Sequence, residues 1–239
     1  MKGVKEELLK VAKPILFNTE MVRAMLEDRK TATRRIVKPQ LSEECPSCKH
    51  VHNEYIYDVT ARNIYCARCG EPLKPEKRAP YHPGDILYVR ETWTLEEFYD
   101  DEALVHFKAG GNIGIDYECE GDTYRKLLKY ADKKWIPSLF MPKEAARIFL
   151  RVKDVRVERL QDITEEQALK EGIHYDECPA GYTWKKRTSM VDCYTSAVGA
   201  FGHLWNTTIK SEDRERYSWE SSPWVWVIEF ERIEPDAEV

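Results

Sequence analysis

Four cysteines in two pairs carry the most specific chemistry in this sequence. Cys45-Pro46-Ser47-Cys48 and Cys66-Ala67-Arg68-Cys69 are separated by 17 residues. That is the spacing at which two tight turns aim four thiolates at one metal ion. A tetrahedron of four thiolates is closed and leaves no position for a substrate. The expectation is therefore a structural zinc on Cys45, Cys48, Cys66 and Cys69. Gly70 directly after the second pair suits such a knuckle. His50 and His52 lie nearby and could replace a ligand, although four sulfurs already suffice. Cys119, Cys178 and Cys193 show no partner spacing and are read as incidental.

The second concentration of chemistry is Arg29-Lys30-Thr31-Ala32-Thr33-Arg34-Arg35, which places four cations and two hydroxyls in seven residues. It reads either as a solvated basic turn or as an anion or nucleotide site where cations and strand-end amides converge. His106, His174 and His203 have no ligand-like spacing. No GxGxxG, P-loop, HExxH or GxSxG pattern occurs, which argues against dinucleotide, ATP-cradling, zinc-protease and serine-elbow chemistry.

The elements that must position these residues can be read from periodicity and punctuation. Met21, Val22, Met25 and Leu26 share one face of a helix over 18–29, with Asn18 or Thr19 as its cap. Residues 41–80 form a separate cysteine-bearing module, and Ile86 to Val89 a strand. The stretch 95–134 is acidic and reads as an irregular surface insertion. Ile148, Leu150 and Val152 alternate with charges, and Val155 and Val157 resume the alternation, so one long strand bends at Lys153-Asp154. Thr164 with Gln167 fits a capping box, Ile163 with Ala168 a hydrophobic staple, and Gly172 a helix stop. A second helix is expected from about Asp192 to Thr207. The run Trp224 to Phe230 is apolar on both faces, as in a central strand.

Composition bounds the function classes. At 239 residues, 42% hydrophobic and 33% charged, the chain is globular. A net charge of −5 argues against coating long nucleic acid by counterion release. A nucleic-acid contact would need a local basic patch, or the ligand is a single nucleoside. The charged start MKGVKEELLKVAKP has no apolar core for export, and no apolar run approaches bilayer length. A cytoplasmic protein without membrane contact is expected.

Several motifs in one order, xRKTxTxR, PGDxLxVRExW, LQDITEEQALKEGI and WVIEFxRI, resemble the ASCH domain of the PUA-like superfamily. The four-cysteine insertion and WIPSLFMPKEAARIFLRV are similar to long ASCH forms met in phage and prophage genomes. The resemblance covers roughly residues 13–40, 80–94, 135–172 and 201–233. It implies an α+β fold: a PUA-like mixed β-barrel over 13–233, with flanking helices, an inserted zinc knuckle at 41–80 and the insertion at 95–134.

The resemblance also implies chemistry. Small ASCH proteins are amidohydrolases that deacetylate N4-acetylcytidine, and their lysine, threonine and glutamate fall on Lys30, Thr33 and Glu171 here, with Arg35 matching a further arginine. Thr33 would be the nucleophile, Lys30 the base, and Glu171 the group that orients the lysine or shuttles a proton. Glu171 just before Gly172 sits where a helix dipole disfavours negative charge by roughly 0.3–1 kcal/mol, so a cation is expected opposite. Arg34, Arg35, Arg90, Glu91, Trp93 and Ser138 are the candidate substrate contacts. Trp93 would stack on a base or pack in the core. Arg90 and Glu91 would form an ion pair or touch substrate. Ser138 lies in a segment over the barrel mouth. The alternative is a module that binds RNA or modified DNA without catalysis, or a nuclease using the same pocket.

Overall fold

A computed structural model describes residues 2–41, 44–49, 55–73, 79–99, 102–116, 125, 127, 129–130, 134–176, 181–185 and 193–233. Its early elements are helix α1 (Lys2–Val11), strand β1 (Lys13–Leu16), helix α2 (Thr19–Leu26) and strand β2 (Ala32–Ile36). Next come β3 (Tyr55–Asp58), β4 (Asn63–Cys66), β5 (Ile86–Arg90), β6 (Trp93–Tyr99), β7 (Glu102–Phe107) and β8 (Asn112–Asp116). The last part holds β9 (Phe149–Arg159), α3 (Glu165–Lys170), β10 (His174–Tyr175), β11 (Tyr182–Thr183), α4 (Ala197–Thr208), α5 (Arg214–Tyr217) and β12 (Trp224–Ile233). The class is α+β. The described strands form open sheets, with no closed barrel among them. No helix among the described residues is long and apolar enough to cross a membrane.

The chain divides into two units, one of Met1–Glu27, Asp85–Arg151 and Arg232–Val239, the other of Asp28–Gly84 and Val152–Glu231. In the first unit, β1 runs parallel to β5, with Lys13 opposite Leu87 and Leu16 opposite Arg90. The start of β9 lies antiparallel to β5, with Leu87 opposite Leu150. The Asn18 side chain caps α2 by accepting from the Met21 amide at 2.9 Å, and Val22 and Met25 are buried as the helical period requires.

Residues 95–116 depart from the expected irregular insertion. Strands β6, β7 and β8 form an antiparallel meander, with a register shift between Leu95 and Glu97. Leu95, Val105 and Phe107 enter this unit's apolar core with Trp93, Met141 and Phe149. The acidic residues hid an alternation that sends Leu95, Val105 and Phe107 inward. Residues 100–101, 117–124, 126, 128 and 131–133 of the stretch 95–134 lie outside the described residues.

In the second unit the strand order is β9, β12, β2. Strand β12 is central, and Trp224 to Ile228 are all buried. It pairs antiparallel with β2: Trp226 faces Arg35, and Ile228 faces Thr33. Burial along β9 slips phase between Val152 and Val155, as the sequence indicated. Helix α3 has the complete capping box of Thr164 and Gln167, and Gly172 stops it at φ 99°, a backbone conformation open to glycine without a Cβ penalty. Helix α4 starts later than expected, because the Ser196 side chain accepts from the Gly199 amide at 3.0 Å and caps it there. Cys193 is disulfide-bonded, which corrects the expectation that it has no partner.

Candidate functional site: a thiolate cage, a buried ion network and a cleft

The four cysteine sulfurs of the second unit lie within 4.8 Å of one another, a grouping that could hold a metal ion. Cys45 Sγ is 3.7 Å from Cys69 Sγ, and Cys48 Sγ is 4.0 Å from Cys66 Sγ. A tetrahedral ion with metal–sulfur bonds of about 2.3 Å needs sulfurs about 3.8 Å apart. The spacing fits.

The two turns are near copies. Lys49 at φ 58° donates its amide to the Cys45 carbonyl at 2.9 Å. Gly70 at φ 70° donates to the Cys66 carbonyl at 3.0 Å. Lys49 thus adopts the left-handed conformation that its counterpart meets with glycine. The Cys69 amide points at Cys66 Sγ at 3.4 Å. The amides of Cys48 and Ser47, together with the neighbouring thiols, draw the Cys45 thiol down to about 6 against the opposing effect of burial. His50 and His52 lie outside the described residues.

The hairpin of β3 and β4 ties the cage to the sheet. Tyr55 packs edge-on against Trp224 with ring centroids 5.1 Å apart, and Tyr57 against Trp226 at 5.0 Å. Alternation along β3 sends both tyrosines to one side, and alternation along β12 does the same for both tryptophans.

The second centre is a buried ion network. Residues 29–31 run alongside the end of α3, with Lys30 bridging to Glu171 in antiparallel fashion. The Thr31 amide donates to the Lys170 carbonyl at 2.9 Å, Lys30 Nζ to the Glu171 carbonyl at 2.9 Å, and Arg29 Nη1 to the Gly172 carbonyl at 2.7 Å. The basic segment therefore caps the open carbonyls of α3, where a helix end favours cations.

Lys30 Nζ also donates to Glu171 Oε2 at 2.7 Å and to the Ala32 carbonyl at 2.8 Å. Three acceptors surround it, as many as an ammonium has protons. Glu171 Oε1 accepts from Arg34 Nη1 at 3.1 Å. Arg34 Nη2 reaches Gln167 Oε1 at 3.0 Å, and the guanidinium carbon lies 5.7 Å from the Phe201 ring centroid. The cation expected opposite Glu171 is thus present twice. Burial pushes the Lys30 ammonium below its ordinary range; Glu171 pulls it back up, and Arg35 and Arg34 push it down.

Alternation on β2 separates Arg34 from Thr33 and Arg35. Thr33 is buried. Arg35 lines a cleft of about 320 Å³ with Ile36, Lys38, Pro80, Tyr81 and Trp226. Sequence reasoning named Arg35 but missed Lys38, Tyr81 and Trp226. The signal available was the pairing of an Arg-bearing strand with the aromatic run at 224–226, and its register could not be read from either strand alone.

The remaining candidates belong to the first unit. Glu91 does not pair with Arg90. Arg147 holds it bidentately, Nε to Oε1 and Nη2 to Oε2, both at 2.8 Å. Burial raises the Glu91 pKa and Arg147 opposes that. Arg90 instead donates to the Leu139 carbonyl. Trp93 is fully buried and packs edge-on against Tyr130 at 5.2 Å, so core packing accounts for it. Ser138 opens a single 3-10 turn over Ser138–Phe140.

No protein-family model, no curated protein and no solved structure matches this chain.

Proposed function

We propose that the chain is an ASCH-type, PUA-like protein with a structural zinc in its cysteine knuckle, and that it hydrolyses an acyl amide on a modified nucleobase or nucleoside. The observation that carries this reading is the 2.7 Å contact between Lys30 Nζ and Glu171 Oε2, two residues 141 positions apart. The motif resemblance requires them to meet, and Thr33 follows Lys30 by three positions.

The chemistry uses this chain's own groups. Burial lowers the Lys30 pKa, which favours the neutral amine that a base requires. The neutral amine, having given up its bond to the Ala32 carbonyl, takes the Thr33 hydroxyl proton as the oxygen attacks the acyl carbonyl. The tetrahedral intermediate collapses, and the amino group of the base leaves with the proton that Lys30 returns. Water then attacks the acyl-threonine ester, releasing the carboxylic acid and regenerating the hydroxyl. Glu171 holds Lys30 in place throughout, and Arg34 holds Glu171.

A second reading, binding of RNA, modified DNA or a nucleoside without turnover, draws support from burial. Lys30, Thr33 and Glu171 are 2%, 1% and 3% exposed, so the arrangement must open to admit an amide. Incubating the protein with a panel of N-acylated and otherwise modified nucleosides, wild type beside Thr33→Ala, with mass-spectrometric readout, separates the two. Hydrolysis expected of the wild type is lost in Thr33→Ala. Absence of any product across the acylated cytidines, or equal turnover by Thr33→Ala, refutes the hydrolytic reading.

A further inference from the structure

The cleft beside β2 is not explained by the buried network. Of its six lining residues two are cationic, Arg35 and Lys38, and none is acidic. Tyr81 and Trp226 are aromatic, and Ile36 and Pro80 add apolar wall. Trp226, 4% exposed, forms the floor and is backed by Tyr57; Tyr81 is half-buried, and Lys38 is exposed at the rim. Arg35 is fixed opposite Trp226 by strand register, so cation and aromatic floor are cross-strand neighbours. Its charge is disfavoured by burial and favoured by Glu171 and Tyr81, and a phosphate would favour it further.

These features select a ligand class. A lining with two cations and no carboxylate attracts an anion, and guanidinium geometry matches phosphate oxygens. Aromatic and apolar walls take a flat heterocycle, which stacking holds without regard to base identity. A volume of about 320 Å³ is near the lower bound of small-molecule sites, which suits one nucleotide and not a run of them.

We propose that this cleft binds a nucleoside monophosphate, with the base against Tyr81 and Trp226 and the phosphate on Arg35 and Lys38. The assignment deepens the proposed function by adding a phosphate to the ligand. It rests on that reading for the nucleobase alone and does not need hydrolysis.

The test is equilibrium binding, by tryptophan fluorescence or calorimetry, of cytidine and adenosine 5′-monophosphates beside cytidine and adenosine. The monophosphates bind about tenfold tighter than the nucleosides in low salt, and the preference shrinks as salt rises. Arg35→Ala removes the preference, Arg35→Lys restores part of it, and Lys38→Gln weakens monophosphate binding about twofold to fivefold. Circular dichroism and thermal melts accompany each variant. If Arg35→Ala does not fold, Lys38→Gln at the exposed rim carries the test. Equal affinity for nucleoside and monophosphate, no binding of either by folded wild type, or an unchanged preference in folded Arg35→Ala and Lys38→Gln overturns the assignment. Monophosphate binding without any amide hydrolysis leaves it standing and counts only against the hydrolytic reading.

Discussion

Removing the Glu171 carboxylate should destabilise the second unit more than removing its lysine partner. The side chains of Lys30 and Arg34 are both 0% exposed, and each donates to a different oxygen of Glu171, which is 3% exposed. Glu171→Ala therefore leaves Lys30 without a carboxylate and Arg34 with only Glu158, 3.4 Å from its Nη2. Breaking a buried pair from one side costs about 3–5 kcal/mol, because the remaining charge is left uncompensated. Lys30→Met is gentler: Glu171 keeps Arg34, and the methionine fills most of the lysine's volume. Its expected cost is about 1–3 kcal/mol, from the carbonyls of Ala32 and Glu171 that lose a donor.

The assay is urea denaturation followed by tryptophan fluorescence, since Trp224 and Trp226 lie in the same unit. The pH dependence gives a further check. The folded pKa of Lys30 lies below its ordinary value, so protonation opposes folding, and stability from this group grows as pH rises through the folded pKa toward the unfolded one. Without Glu171 the folded pKa falls further, so the deficit of Glu171→Ala narrows as pH rises from the variant's folded pKa to the wild type's and is constant above that. A loss below about 1 kcal/mol in Glu171→Ala, or a deficit larger than that variant's in Lys30→Met, would refute the account of a carboxylate shared by two buried cations.

Other outcomes follow from the same geometry. Purified protein should carry about one zinc per chain by elemental analysis, and Cys48→Ser should lose it. Metal should be released as pH falls, because acid competes with the metal for the four thiolates. Chelation should also change tryptophan emission, since the β3 hairpin places Tyr55 and Tyr57 on Trp224 and Trp226. Thr164→Ala removes the cap of α3 and should cost about 1 kcal/mol in the same denaturation assay. Glu91→Ala should cost about 3 kcal/mol or more by leaving Arg147 without its bidentate partner, while Arg90→Ala, whose bond is to a carbonyl, should cost less.

What was legible in the sequence was local. The cysteine quartet could be read because two short turns and a metal's valence decide its geometry over a few residues. Asn18, Thr164, Gln167 and Gly172 could be read because helix ends are settled by nearby side chains and by φ. The double-faced burial of Trp224 to Ile228 followed from a run of consecutive apolar residues that leaves neither strand face polar. The meander at 95–116 was missed because its apolar alternation is interrupted by a shift in register and diluted by acids.

The ion network and the cleft were decided by tertiary structure. Nothing near Lys30 in the chain says that it meets Glu171; only the motif resemblance pointed there. Arg34 becomes its second partner and Arg35 a cleft residue because one step along β2 reverses the side-chain direction, and Trp226 joins Arg35 because β12 pairs with β2 in that register. Residues far apart in the chain meet only when the register of a sheet and the end of a helix are set together, and that setting depends on which faces the whole unit can bury.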